Sequence, residues 1–261
     1  MDTTITAVTN QKGGVGKTAM TLNVGGALAE AGHAVLLIDL DPEGHLTAAA
    51  GLENAQGEAN LCRALIGTWE GSPAELITPH STTAKGGRLD VVVSSFEMLD
   101  VVRALDKVRG RDHRLKKLLA AFDGVYRHVI IDCPPSLDIL TDNALAAADG
   151  ALIPVQAEDS SIKALSLLLP QVAAVDADLR EKPILLHGMV VNLLRRPVNK
   201  LADSVLKHFE SLEGLPILGQ VPLSVTVTEA WRYGRTVVEY APESEHAKVY
   251  RSLANVLDGA A

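Results

Sequence analysis

The chain has 261 residues, of which 47% are hydrophobic and only 3% are aromatic, and its formal net charge is −8. This length and apolar content are enough for one sizeable core, whereas the acidic balance excludes a surface that binds nucleic acid by overall charge. The two cysteines, Cys62 and Cys133, have no C-x-x-C spacing and the eight histidines include no H-x-x-x-H pair, so neither a metal knuckle nor a disulfide framework is predicted.

No apolar run approaches the roughly 18 residues of a membrane span, and the N-terminus has no signal-peptide pattern. We therefore expect a cytoplasmic protein. Any contact with DNA must come from a local basic patch.

The first predicted strand covers residues 5–9, and it is followed by N-Q-K-G-G-V-G-K-T at residues 10–18 and a helix over residues 19–31. A strand, a glycine-rich turn and a helix are the setting of a phosphate-binding loop, because glycines let successive N–H groups turn toward an anion and the helix start adds a positive dipole end. Lys17 is expected along the β- and γ-phosphates and the Thr18 hydroxyl on Mg²⁺. The residues expected to bind the nucleotide here are Gly13, Gly14, Val15, Gly16, Lys17, Thr18 and Ala19.

Lys12 distinguishes this loop from the ordinary pattern G-x-x-x-x-G-K-[ST], whose first position is here Gln11. The sequence K-G-G-V-G-K-T resembles the deviant Walker A loop of the ParA/MinD family of ATPases. In that family the first lysine crosses a dimer interface to the partner's ATP, where a cation stabilises the charge that develops on the γ-phosphate. The resemblance implies this role for Lys12; from the residues alone, a solvated loop lysine is the alternative.

The apolar run at residues 34–38 predicts a second strand, buried on both faces of a parallel sheet. It leads into D-L-D-P-E-G-H, which is similar to the family's D-x-D-P-Q-G-N, with Glu43 and His45 as departures in the switch loop. The resemblance implies that Asp41 orients the attacking water and that Asp39 supports Mg²⁺ or the loop. The alternative is that both aspartates only cap the next helix.

Residues 46–122 carry weaker signals. The patterns predict short helices over 46–52 and 60–66, exposed loops over 53–59 and 80–87, a strand over 89–93, and a helical stretch over 97–122 with a break at Gly110. The basic residues of this last stretch are interpreted as a solvated helix face, with a DNA or partner surface as the alternative. They are Arg109, Arg111, Arg114, Lys116 and Lys117.

Residues 128–132 read as a buried strand that ends in Asp132, followed by C-P-P-S. A carboxylate at this place is expected near Mg²⁺, usually through a water. D-C-P-P-S is similar to the family pattern, and its two prolines stiffen the turn into a helix over 137–148, which the family uses at the dimer face. Cys133 also suggests an iron–sulfur relative, but Cys62 is not the second cysteine that such a site needs, so an inert, half-buried thiol is favoured.

Further strands are predicted over 151–155, 184–191 and 217–221, and helices over 160–175 and 247–257. The resemblance implies that Asn192, at the end of its strand, reads the adenine edge, which suits an amide with one donor and one acceptor group. It also implies that the backbone around Pro222 approaches the base.

Strands beginning near residues 4, 34, 89, 128, 151, 184 and 217 alternate with helices or loops. This alternation predicts an α/β fold with a mostly parallel twisted sheet and helices on both faces. Together with the loop at residues 10–18, the resemblance implies that this fold is a P-loop NTPase. The resemblance covers nearly the whole chain, so residues 1–261 are expected to form a single ATPase domain. Because few residues precede the loop, no N-terminal helix-turn-helix domain is expected.

The DNA-binding pattern P-R-x-V-R of relatives is replaced here by P-L-S-V-T, so the usual arginines are missing at Leu223 and Thr226. We expect nearby basic residues to form a phosphate-contacting patch that doubles when two subunits join. These residues are Arg195, Arg196, Lys200, Arg232 and Arg235. Arg195 and Arg196 are expected to be the main contacts, and ordinary exposed arginines are the alternative. The C-terminus lacks the basic amphipathic helix of MinD, so membrane binding is not expected.

The resemblance as a whole implies a ParA-type ATPase of plasmid or chromosome partition. It implies ATP and Mg²⁺ as cofactors, an ATP-dependent homodimer, nonspecific binding of double-stranded DNA on the nucleoid, and a ParB-like centromere-binding partner that stimulates hydrolysis. Two alternatives stay open. One is a positioning ATPase for a protein cargo, and the other is a metabolic synthetase of the dethiobiotin type, which would need a small-molecule pocket and would not require Lys12.

Overall fold

The computed structural model describes residues 2–259, in which eight strands form one sheet. The strands are β1 (Thr4–Val8), β2 (Ala34–Asp39), β3 (Ile77–Thr82), β4 (Arg88–Val92), β5 (His128–Asp132), β6 (Gly150–Val155), β7 (Leu185–Leu194) and β8 (Ile217–Pro222). They lie in the order β3-β4-β2-β5-β1-β6-β7-β8, and all neighbours are parallel except β3 and β4. The predicted α/β fold with a mostly parallel sheet is confirmed.

Helices cover both faces of this sheet. The helices are α1 (Lys17–Ala31), α2 (His45–Ala49), α3 (Leu61–Ile66), α4 (Val101–Leu105), α5 (Arg114–Leu119), α6 (Ile139–Ala147), α7 (Asp159–Leu179), α8 (Lys200–Glu210), α9 (Thr226–Arg232), α10 (Val237–Tyr240) and α11 (Glu245–Asp258). Buried residues of α1, α2 and α9–α11 belong to the core on one face, and those of α3–α8 to the core on the other. Within residues 2–259, a helix both long and apolar enough to cross a bilayer does not occur.

Alternating side chains of each central strand supply the two cores. On β2, Leu36 and Ile38 face one core while Val35 and Leu37 face the other, and all four are fully buried. Both faces of a parallel sheet lie under helices, which is why these strands are continuous apolar runs in the sequence. At roughly 1.5–3 kcal/mol for each buried aliphatic side chain, this double burial is a main source of the fold's stability.

The strand order brings the ends of three neighbouring strands together at the carboxyl edge of the sheet, and two of these ends are aspartates. β5 lies between β1 and β2, so Asp132 is in register with Val8 on one side and with Asp39 on the other. The loop after β1 therefore begins beside Asp132, with Asp39 one strand farther along the same edge. Ligands of open parallel sheets bind at this edge.

One predicted loop is wrong in part. Residues 80–82 do not belong to an exposed loop but to β3, an antiparallel edge strand paired with β4. A tight turn connects them, in which Gly86 has φ of 80° and the Thr83 N–H donates to the Gly87 carbonyl at 2.8 Å. β3 is largely polar and contains Pro79 at a bulge, both of which are tolerated in an edge strand. The prediction was wrong here because this composition resembles that of a loop.

Other boundaries also differ from the predictions. The helical stretch over 97–122 is two short helices, α4 and α5, flanked by 3₁₀ turns, with Gly110 at φ of 65° inside the break. β7 runs past Asn192 to Leu194, because Leu194 pairs with Pro222 on β8. Helices α8 and α9 were not predicted, although Asn199 caps α8 by accepting from the Ala202 N–H at 2.9 Å.

A cluster at the opposite edge of the sheet ties α11 to the core. His128 Nε2 and His33 Nε2 lie 3.2 and 3.3 Å from the two carboxylate oxygens of Asp258, at the end of α11. Arg127 Nε lies 3.5 Å from the oxygen that His128 contacts. A metal ion among these groups would lie close to the positively charged guanidinium of Arg127, which would repel it. We therefore interpret the cluster as a hydrogen-bonded clamp and not as a cation site. Burial lowers the pKa of His128 to about 4.

This clamp predicts a loss of stability between pH 6.5 and pH 4. An unfolded chain protonates His128 near pH 6.5, whereas the folded chain keeps it neutral until about pH 4, so the unfolded state binds more protons in this window and the free energy of unfolding falls as pH falls. We expect His128 to account for a loss of about 1–3 kcal/mol, measured as the difference in pH dependence between the unmodified protein and His128→Gln in urea unfolding. The difference is needed because Asp39 and Asp132, whose pKa values are raised by burial, act with the opposite sign in this window. His128→Gln should lose less stability than the unmodified protein as pH falls, and the exposed His208→Gln should not; equal losses in the His128→Gln and unmodified proteins would contradict the assignment.

Candidate active site

The loop at residues 10–18 leaves β1 and turns into α1 through two glycines with positive φ, Gly14 at 71° and Gly16 at 88°. A Cβ on Gly16 would come within 1.9 Å of Asn192 Nδ2, so close packing requires glycine there. A Cβ on Gly13 or Gly14 would meet nothing within 4 Å. Gly16 caps α1 without a side-chain hydrogen bond, which leaves the first N–H groups of the helix for an anion.

Lys17 directs its amine into this loop. The residue is only 7% exposed, and Nζ donates to the Lys12 carbonyl oxygen at 3.3 Å. Burial lowers the pKa of Lys17, and the charge of Asp132 opposes that shift. A buried ammonium group with one weak acceptor fits a site for phosphate oxygens.

Thr18 and Asp132 form a pair of oxygen ligands beside Lys17. Thr18 Oγ1 donates to Asp132 Oδ2 at 2.7 Å, and Thr21 Oγ1 donates to Asp132 Oδ1 at 3.3 Å. Burial raises the pKa of Asp132, and the neighbouring Asp39 adds to the shift. A hydroxyl and a buried carboxylate at this distance are the ligands that Mg²⁺ prefers, and the cation would relieve the carboxylate's burial.

The carboxylate of Asp39 is hydrogen-bonded to α2. Its Oδ2 accepts from the Thr47 N–H at 2.7 Å and from Thr47 Oγ1 at 2.5 Å, and its Oδ1 accepts from the Asp41 N–H at 3.3 Å. Burial raises the pKa of Asp39 to about 6. Two roles were expected for Asp39. These contacts agree with a role in supporting the loop, and the role as a Mg²⁺ ligand stays a prediction.

Asp41 lines the same cleft and is 5% exposed. Its Oδ1 accepts from the Glu43 N–H at 3.0 Å, and its Oδ2 lies 3.2 Å from His45 Nδ1. His45 Nε2 lies 3.4 Å from Glu43 Oε2, so the side chains of the two departures from the family pattern contact each other. Both residues also contact Asp41, Glu43 through its backbone N–H and His45 through its ring. The carboxylate is thus held in place by its own loop while it faces the cleft.

A cavity of about 420 Å³ extends from the loop toward the ends of β7 and β8. Its lining away from the loop is mostly apolar, with Ser224 and Thr228 as polar exceptions; the apolar residues are Val221, Leu223, Val227, Trp231 and Tyr250. The size and the mixed lining are typical of a small-ligand site. Trp231 and Tyr250 were not predicted as site residues, because α9 was not predicted and Tyr250 lies inside a core helix.

The two residues expected at the base also line this cavity. Asn192 is buried, and its Nδ2 donates to the Val15 carbonyl oxygen at 2.8 Å, so part of the amide supports the loop. The Pro222 carbonyl oxygen lies 2.9 Å from His246 Nε2. Contact of either residue with adenine stays a prediction.

Lys12 is not a free surface lysine. Its Nζ donates to Gln156 Oε1 at 2.6 Å and to Glu158 Oε2 at 2.7 Å, in the connection between β6 and α7. Its backbone N–H donates to Asn10 Oδ1 at 2.9 Å. No sequence pattern pointed to Gln156 or Glu158 as partners of Lys12, because they follow it by more than 140 residues.

The expected DNA contacts lie at the surface after β7 and on α9. Arg195, Arg196 and Lys200 are exposed, and Arg196 donates to Glu245 Oε1 at 2.7 Å. Arg232 and Arg235 are also exposed, at and after the end of α9. In the alternative basic stretch, Arg114 donates to the Leu65 carbonyl oxygen at 2.6 Å, a contact within the fold.

Both cysteines are buried free thiols. Burial raises the pKa of Cys62 to about 11 and raises that of Cys133 further. Cys133 is fully buried rather than half-buried as expected, and its inertness follows from that burial.

Several known proteins are similar to this chain in sequence or fold. A family model described as an AAA domain matches residues 3–184. The chain is 36% identical to the sporulation initiation inhibitor protein Soj of Bacillus subtilis, over 96% of each chain. It is 34% identical to the chromosome partitioning protein ParA of Caulobacter vibrioides, over 96% of this chain and 92% of that protein.

Among solved structures, cobyrinic acid a,c-diamide synthase from Mycobacterium smegmatis with bound ATP analog and magnesium is similar. It has a TM-score of 0.80 and 30% identity, covering 97% of this chain and 93% of that one.

Proposed function

Because this chain belongs to the ParA/Soj-type partition ATPases of the ParA/MinD family, we propose that it hydrolyses ATP between two paired subunits and binds DNA when paired. The observation that supports this most directly is the buried Lys17 amine beside the Thr18–Asp132 pair, since it offers one site for phosphates and one for a cation. The second lysine of the loop, Lys12, would act on the nucleotide of the other subunit.

ATP and Mg²⁺ are the cofactors that the site fits. Thr18 would contact Mg²⁺ directly and Asp132 through a water, and Lys17 with the N–H groups of residues 13–19 would bind the phosphates. Mg²⁺ in such a site neutralises negative charge on the β- and γ-phosphate oxygens. The base would occupy the apolar end of the cavity near Asn192 and Pro222.

Asp41 would hold the attacking water in this scheme, since its carboxylate is fixed by the Glu43 N–H and faces the cleft. Lys12 from the partner would complete the set of cations around the γ-phosphate. Because the set is complete only in the pair, turnover of the single subunit is expected to be slow. A ParB-like partner would stimulate hydrolysis and thereby release the DNA.

DNA binding would use the exposed arginines after β7, doubled in number by pairing. Changing Arg195 and Arg196 together to Ala should abolish ATP-dependent DNA binding at physiological salt. If all four arginines of a pair contact phosphates, the slope of log affinity against log salt should fall by up to about 4. Fluorescence anisotropy of a labelled duplex, titrated at several salt concentrations, measures both quantities.

The matched control is Lys207→Ala, which removes an exposed cation of α8 that already pairs with Asp203 at 2.7 Å. This variant should bind DNA as the unmodified protein does. DNA binding that survives in the Arg195/Arg196 double variant would contradict the placement of the interface.

The function as a whole is tested by measuring ATP turnover with duplex DNA, with a basic partner peptide and with candidate metabolites. A partition ATPase should respond to DNA and the peptide. The metabolic alternative, which the similarity to the Mycobacterium smegmatis synthase keeps open, predicts a response to a metabolite alone. A positioning ATPase for a protein cargo would have the same catalytic chemistry, so it would be identified by the partner protein that it binds.

A further inference from the structure

Lys12 is held by contacts within its own chain. The two acceptors, Gln156 Oε1 and Glu158 Oε2, lie 2.6 and 2.7 Å from Nζ. The Lys12 side chain is 21% exposed and that of Glu158 is 57% exposed, so a neighbouring molecule has access to both. We call these two contacts the Lys12 latch.

The backbone of the loop is anchored separately from the latch. Asn10 Nδ2 donates to the Pro154 carbonyl oxygen at 2.8 Å, and Gln11 Nε2 donates to the Ala164 carbonyl oxygen at 2.8 Å. With the backbone fixed at both residues, the Lys12 side chain can change its partner without moving the loop.

The acceptors of the latch are themselves held in place. Ser161 Oγ accepts from the Gln156 N–H at 3.2 Å, and Ser160 Oγ donates to Glu158 Oε2 at 3.3 Å. The hydrogen bond from Lys12 lowers the pKa of Glu158, and the charge of Arg195 adds to this effect. Glu158 is therefore an anion positioned for the Lys12 ammonium.

We propose that Glu158 is a positioning residue that competes with a partner's phosphates for Lys12, so that the latch must open before two subunits pair. This inference rests on the proposed role of Lys12 between subunits. One ammonium group cannot lie against Glu158 and against a phosphate across an interface at the same time. The latch therefore weakens pairing, and each pair opens two latches.

The test is Glu158→Gln, which keeps the size of the side chain and removes its charge. The dissociation constant of the pair is measured by analytical ultracentrifugation with ATP and without DNA, in the Asp41→Ala background so that ATP persists. Glu158→Gln removes the need to break two exposed ion pairs when two subunits associate. It should therefore lower the dissociation constant by roughly 2- to 30-fold, which corresponds to roughly 0.2–1 kcal/mol for each pair. Asp203→Asn is the matched control, because Asp203 forms an exposed pair with Lys207, also at 2.7 Å, and its loss changes the net charge equally.

A dissociation constant that is unchanged or raised by Glu158→Gln, or lowered equally by Asp203→Asn, would overturn the latch. The same measurement with Lys12→Ala separates the two claims. If Lys12→Ala pairs like the unmodified protein, the proposed role of Lys12 between subunits fails. If Lys12→Ala pairs poorly but Glu158→Gln has no effect, only the latch fails. In the Lys12→Ala background, Glu158→Gln should have no further effect, because the two residues act through one contact.

Discussion

Asp41→Ala is expected to lower ATP turnover by about 10²- to 10⁴-fold while leaving nucleotide bound, so that the protein persists as an ATP-bound pair. The structure fixes this carboxylate by the Glu43 N–H at 3.0 Å and buries it to 5% exposure at the cleft. In the proposed mechanism, removing this carboxylate would deprive the attacking water of its acceptor and would leave the proposed phosphate-binding residues of the loop intact.

The measurement is size-exclusion chromatography with ATP and with ADP, with and without DNA, beside a phosphate-release assay. Asp41→Ala should elute as a pair with ATP and as a single subunit with ADP. Lys17→Ala should weaken nucleotide binding and stay unpaired with either nucleotide. Glu53→Ala removes an exposed acid after α2 and serves as the control. An Asp41→Ala protein that hydrolyses ATP at the normal rate would refute the role of Asp41.

Lys12→Ala is expected to keep ATP binding within a few-fold and to lose about 10³-fold or more in DNA-stimulated turnover, the scale of a missing arginine finger. Its side chain lies outside the phosphate-binding turn in the unpaired subunit, against Gln156 and Glu158. Loss of the Lys12 side chain should therefore lower turnover in the pair without weakening ATP binding to the single subunit. Equilibrium binding of a fluorescent ATP analogue and steady-state turnover separate these two effects.

Mixing two inactive variants tests whether Lys12 acts on its own subunit or on the partner. In a mixed pair of Lys12→Ala and Asp41→Ala, one site has an intact Asp41 and receives Lys12 from the other subunit. If the two variants pair at random, half of the pairs are mixed and each restores one of its two sites, so at most about a quarter of normal turnover should return. Preferential pairing of Asp41→Ala subunits with each other would lower this fraction. If mixing restores nothing, Lys12 does not act across the interface. The matched control is a mixture of Lys17→Ala with Asp41→Ala, in which the Lys17→Ala subunit cannot hold ATP and no site is complete.

The central strands and the polar ends of β2 and β5 were predictable because local sequence carries both signals. A strand buried on both faces must be apolar throughout, and an acid that ends such a run lies at the ligand edge. β3 and α8 escaped prediction because their residues are polar on the exposed side. Their structure depends on pairing with β4 and on packing of Val205, Leu206 and Phe209 against a distant core.

The partners of individual site residues were not predictable. Lys12 meets Glu158 only because β6 lies next to β1, and Asn192 reaches the Val15 carbonyl oxygen only because β7 lies next to β6. The side-chain contacts of Asp39 likewise depend on how α2 returns over β2, which brings Thr47 to the carboxylate.

By itself, the sequence determined the phosphate-binding loop, the acids at the strand ends and the α/β class, because each of these is a pattern over a few consecutive residues. The tertiary structure alone decided which groups those residues contact, above all that Lys12 is engaged by its own subunit. The physical reason is that hydrogen bonds and ion pairs form within about 3 Å, and only the order of strands in the sheet brings residues so distant along the chain to that separation.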